Sequence, residues 1–90
     1  MSQAMKKTSI LVVDDDKNTR DGLSRALGST YQVHLAESGE KAMQILGTTD
    51  MDVLLTDVRM PGMDGLTLLQ RALAASPGLI CILLTAYGNL

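Results

Sequence analysis

The chain has no Trp and no Phe, and only two Tyr among its 90 residues. Its core must therefore be built from Leu, Ile, Val, Met and Ala, which pack by shape rather than by ring stacking. A single cysteine, Cys81, excludes an intramolecular disulfide; within the apolar stretch 79–84 it reads as a small buried hydrophobe. No apolar run approaches the roughly 18 residues needed to span a bilayer, and no signal peptide precedes residue 10, so the expected setting is the cytoplasm. Lys and Arg total 8 against 10 Asp and Glu, and apart from Lys6 and Lys7 the basic residues are scattered singly. That leaves no basic stripe for direct contact with DNA or RNA. Hydrophobic residues are 46% and charged residues 20% of the chain, the usage of a folded domain rather than a disordered tail. A body of this length buries roughly 60% of its unfolded surface, enough for one domain, expected over residues 1–90 with 1–7 as a flexible leader.

What is present is strongly ordered. Residues 10–13, Ile-Leu-Val-Val, form an apolar run rich in β-branched side chains, the pattern of a strand covered on both faces. Further strands are predicted at 31–36, 51–56 and 79–84. Helical spacing links Leu23, Ala26 and Leu27, then Ala42, Met43, Ile45 and Leu46, then Leu66, Leu69 and Leu73. Asp16, Ser38 and Asp64 are the expected N-caps; Gly28, Gly47 and Pro77-Gly78 are the expected stops. The resulting β-α-β-α-β-α-β alternation predicts an α/β fold with a doubly wound parallel sheet. The last apolar strand has no helix after it. We therefore expect a natural domain that continues further, or an edge strand that pairs with another molecule, including a second copy of the chain.

Eight of the ten acidic residues are Asp, and three of them stand together at Asp14, Asp15 and Asp16. Ligands of open parallel sheets bind outside the carboxyl ends of the strands. Asp14, Asp15 and Asp16 follow the first predicted strand, Asp57 the third and Thr85 the fourth. If the first and third strands are neighbours, their carboxylates meet. Clustered carboxylates repel unless a proton or a cation joins them. With oxygen donors only, a hard cation is favoured, and Mg²⁺ suits a small open cluster better than Ca²⁺. The carbonyl of Arg59 is a candidate further ligand. A strand-end carboxylate beside such an ion is also a candidate nucleophile towards phosphorus.

The segment Leu54-Leu55-Thr56-Asp57-Val58-Arg59-Met60-Pro61-Gly62-Met63-Asp64-Gly65 resembles the phosphoacceptor motif of two-component response-regulator receiver domains. Residues 10–16 resemble their acidic pocket, and Leu83-Leu84-Thr85-Ala86 the strand bearing their switch hydroxyl. The ending Thr85-Ala86-Tyr87-Gly88-Asn89 is similar to the receivers of sigma-54-dependent, nitrogen-regulation-type activators. The resemblance implies a flavodoxin-like fold cut after its fourth strand. It implies Asp57 as phosphoacceptor and Asp14 and Asp15 as holders of Mg²⁺ (or Mn²⁺), with Asp15 the direct ligand. It also implies Arg59 as a backbone-carbonyl ligand and Thr85 as the switch hydroxyl. A sensor histidine kinase would be the donor, and an ATPase and DNA-binding effector region the recipient of the signal.

The family pattern continues with a fourth helix, a fifth strand, a fifth helix and a Lys after the fifth strand; this sequence has no Lys after Lys41. A phosphorylation-incompetent form acting only by self-association is therefore an alternative. A second is an enzyme. Asp14-Asp15-Asp16 also matches the Asp-x-Asp pattern of haloacid-dehalogenase-type phosphatases, with Asp14 as nucleophile and Asp16 as acid/base. That reading needs a downstream Lys and leaves the Asp57 loop unexplained. The expectation is a signalling module rather than an enzyme.

Overall fold

A computed structural model describes residues 6–84. Its elements run β1 (Ser9–Val13), α1 (Lys17–Leu27), β2 (Gln32–Ala36), α2 (Gly39–Thr48), β3 (Val53–Asp57), α3 (Gly65–Ala75) and β4 (Ile80–Leu84). The expected alternation holds. The four strands form one parallel sheet in the order β2-β1-β3-β4, so the first and third strands are neighbours. Expectations for residues 1–5 and for Thr85 lie outside the described residues.

All five residues of β1 are buried, as its unbroken apolar run requires of a central strand. Leu11 and Val13 face one way with Leu54 of β3, and pack against Ala42 of α2 and Leu68 and Ala72 of α3. Ile10 and Val12 alternate with them and belong to the opposite face, where α1 lies against β1 and β2. Helices α2 and α3 touch each other, and α1 touches neither. Leu11, Leu54 and Leu68 are fully buried, so truncating any of them to Ala costs about 2–5 kcal/mol.

The caps are the predicted ones. Asp16 accepts from Thr19 N, Ser38 from Lys41 N and Asp64 from Thr67 N, each taking up an N–H that the first helical turn leaves unpaired. The stops are less simple. Helix α2 runs through Gly47 to Thr48, and Thr49 N closes it on the carbonyl of Ile45. A glycine inside a helix weakens it without ending it. Gly28 does end α1, but in a right-handed conformation (φ −67°) rather than the left-handed one a terminal glycine permits. Asp57 is the last residue of β3 rather than the first of a loop. Strand β4 is the sheet edge among the described residues. It is half open, with Ile80 60% and Ile82 46% exposed.

Candidate metal and phosphoacceptor centre

Both strands that carry the site end at the same edge of the sheet. Val13, the last residue of β1, lies beside Thr56 of β3. The chain then continues into Asp14 and Asp15 on one side and Asp57 on the other. Carboxylate oxygens of Asp14, Asp15 and Asp57 lie within 4.8 Å of one another. Asp14 is buried, Asp57 half-buried and Asp15 exposed, so the cluster opens to solvent on one side. Asp16, next in the run, turns away. Its carboxylate accepts from Thr19 N at 2.8 Å and from the Thr19 hydroxyl at 2.7 Å, which makes it a helix cap.

Asp14 is fixed from several directions. Its N–H donates to the carbonyl of Ala36 at 3.2 Å, tying it to β2. Its carboxylate accepts the N–H of Asp16 at 2.9 Å. Its backbone carbonyl accepts Nη1 of Arg20 at 2.8 Å. Sequence reasoning did not single out Arg20; its only signal was its place in the first turn of the helix that follows the acidic run.

The segment after Asp57 is shaped by two glycines. Gly62 adopts φ +76°, a left-handed turn that side-chain-bearing residues rarely enter. Gly65 opens α3 directly against the Asp57 backbone and donates its N–H to the carbonyl of Val58 at 2.8 Å. Residues 58–64 therefore form a closed loop, with Arg59 two residues beyond the end of the strand. Val58 N is held by the carbonyl of Leu84 at 3.2 Å, linking this loop to the end of β4.

The electrostatics follow from the crowding. Burial raises the Asp14 carboxyl above its ordinary value. The Asp16 N–H opposes that shift, and the charges of Asp57, Asp15 and Asp16 add to it. Three carboxylates with oxygen donors only, one of them buried against like charge, fit a hard divalent cation.

Known proteins resemble this chain over most of its length. The profile of the response regulator receiver domain matches residues 10–90. The DNA-binding transcriptional regulator NtrC of Klebsiella pneumoniae is 42% identical over 87 residues, which are 96% of this chain and 19% of that protein. A cyclic di-GMP phosphodiesterase of Thermotoga maritima is 36% identical over 82 residues, 90% of this chain and 22% of its own length. The solved response regulator TrrA of Thermotoga maritima, in complex with Mg²⁺–BeF, superposes with a TM-score of 0.85 at 35% identity, covering 90% of this chain and 71% of that one. This chain belongs to the response regulator receiver domain family of two-component systems, with the flavodoxin-like fold of its solved relatives. It resembles in particular the receivers of NtrC-type activators, and it spans about a fifth of the length of those relatives. Among the described residues no helix is long and apolar enough to cross a membrane.

Proposed function

We propose that Asp57 is the phosphoacceptor of this receiver, fed by a phosphohistidine of a sensor kinase. A carboxylate oxygen of Asp57 attacks phosphorus, the P–N bond breaks, and its electron pair leaves with the imidazole, which takes up a proton. Asp14, Asp15 and Asp57, with the backbone carbonyl of Arg59, would hold Mg²⁺ or Mn²⁺. The cation would supply positive charge to the phosphoryl oxygens as they crowd the acidic cluster. Thr85 is assigned as the hydroxyl that answers the new phosphoryl group. The observation that carries this reading is the meeting of three carboxylates from two neighbouring strand ends within 4.8 Å. The Mg²⁺–BeF complex of a 35% identical relative supports it.

The output would be control of an effector region in the manner of the NtrC-type relatives, named as DNA-binding transcriptional regulators. The module itself turns over no substrate and works in the cytoplasm. Intact-mass spectrometry before and after incubation with acetyl phosphate and Mg²⁺ tests the reading. One phosphoryl adduct is expected, dependent on the cation and absent from Asp57→Ala. An adduct that survives Asp57→Ala, or maps to Asp14, overturns it.

A further inference from the structure

Arg20 stands in the first turn of α1 and reaches back over the turn that precedes it, as long helical side chains do. It is half-buried, and its Nη1 meets the backbone carbonyl of Asp14 at 2.8 Å. That carbonyl lies just past the end of β1. Among the described residues, the other anchors of Asp14 are the Ala36 carbonyl on β2 and the Asp16 N–H within the turn. Of the three, only the Arg20 contact ties Asp14 to the body of a helix. The guanidinium thereby links the acidic turn to α1, and the turn carries two of the three clustered carboxylates.

We infer that Arg20 is a positioning residue for the cation site, holding the Asp14 carbonyl so that the Asp14 and Asp15 carboxylates converge with Asp57. This rests on the metal-binding reading given above. The inference has a sign that separates it from the simplest alternative. A cation beside an acidic pocket repels an incoming metal ion, so if Arg20 acted only through its charge, removing it would tighten metal binding. If it acts through the carbonyl it holds, removing it loosens the ligands and weakens binding. Groups that orient metal ligands commonly change affinity by about tenfold or more.

The test is a Mn²⁺ titration of the chain, followed by loss of the free-ion electron paramagnetic resonance signal, alongside Arg20→Met, Arg20→Lys and Asp57→Ala. Circular dichroism at the titration temperature selects folded variants; should Arg20→Met lose its fold, Arg20→Gln carries the same comparison. The expected result is a dissociation constant raised about tenfold in Arg20→Met. Arg20→Lys, which keeps both a donor and the charge, should lie closer to the unsubstituted chain. Unchanged or tighter binding in folded Arg20→Met overturns the inference, and so does equal weakening in the Met and Lys variants. No Mn²⁺ binding by the unsubstituted chain overturns the metal reading and the inference with it, an outcome distinct from a site that binds but ignores Arg20.

Discussion

Gly65 and Asp57 are packed backbone to backbone: a Cβ at Gly65 would collide with the Asp57 carbonyl oxygen and stand 2.9 Å from the Cα of Val58. The first residue of α3 is thus seated on the peptide unit of Asp57, the proposed phosphoacceptor. Gly65 N also donates to the Val58 carbonyl at 2.8 Å, so the start of α3 is joined to the end of β3 through backbone atoms. Nothing flexible is in the way to yield, because the colliding atoms are backbone.

Gly65→Ala should therefore damage both stability and function. Overpacking of this kind costs about 1–3 kcal/mol, read as a lower midpoint in urea unfolding. The displaced strand end should also lower the rate of adduct formation from acetyl phosphate at saturating Mg²⁺. An Ala variant with unchanged midpoint and rate would show that the α3 start relaxes freely.

The buried carboxyl of Asp14 gives a pH signature. Its value in the folded chain is raised, by burial first and by neighbouring carboxylates after that. Between the ordinary carboxylate value and the raised one, the folded chain binds more protons than the unfolded chain. Stability without metal therefore falls as pH rises through that window and stays reduced at neutral pH. Asp14→Asn removes the penalty and keeps an oxygen for the Asp16 N–H. Without metal it should be more stable than the parent at pH 7, by about 0.5–2 kcal/mol. It should also gain far less from Mg²⁺, which at a hundredfold excess over its dissociation constant stabilises a bound protein by about 2.7 kcal/mol. Urea unfolding with Mg²⁺ and with chelator measures both; a destabilised Asp14→Asn in chelator would contradict the assignment.

Asp16 separates a cap from a catalyst. Its carboxyl is held below the ordinary range by the Thr19 hydroxyl and then by the Thr19 N–H. Its stabilising effect is thus present above the ordinary carboxylate value and lost as pH falls through the lowered one. Asp16→Ser keeps a capping oxygen and should be near neutral, whereas Asp16→Ala should lower the melting temperature. Neither should change the extent of adduct formation. A folded Asp16→Ser that no longer takes up phosphate would make Asp16 a participant in the chemistry, as the phosphatase pattern Asp-x-Asp demands.

How much of this was legible beforehand differs from residue to residue. The run Ile10-Leu11-Val12-Val13 announced a strand covered on both faces, and β1 is buried at every position. The convergence of Asp14, Asp15 and Asp57 was legible only on the condition that β1 and β3 pair, which the sheet order satisfies. The caps were readable because an N-cap acts over three residues. The stop at Gly47 was misread because helix ends depend on where the last carbonyls find donors, and Thr49 supplies one that composition does not reveal. That the last strand lies uncovered was legible from the lack of a helix after it, but which of its positions are open was not, since Ile-Cys-Ile-Leu-Leu has no alternation to mark Ile80 and Ile82. Arg20 and Gly65 were out of reach for a different reason. Their importance lies in contacts with backbone atoms, which carry no residue-type signature.

The same holds for a contact at the far end of the sheet. Asp52, just before β3, accepts the N–H of Ser9 at 2.8 Å through Oδ2, and its own N–H donates to the Ser9 carbonyl at 3.0 Å. Ser9 is only 5% exposed, so its N–H has little access to water. Asp52→Ala leaves that donor unpaired and should cost about 1–3 kcal/mol, while Asp52→Asn, which keeps an acceptor oxygen, should cost less. Ser9 and Asp52 sit at the start of β1 and β3, and the acidic cluster at their ends. Mn²⁺ affinity and adduct formation measured on the folded variants should therefore match the parent. If Asp52→Ala changed either one in proportion to its loss of stability, the two ends of the sheet would be coupled, and the cluster could no longer be treated as a site set by its own turn and loop.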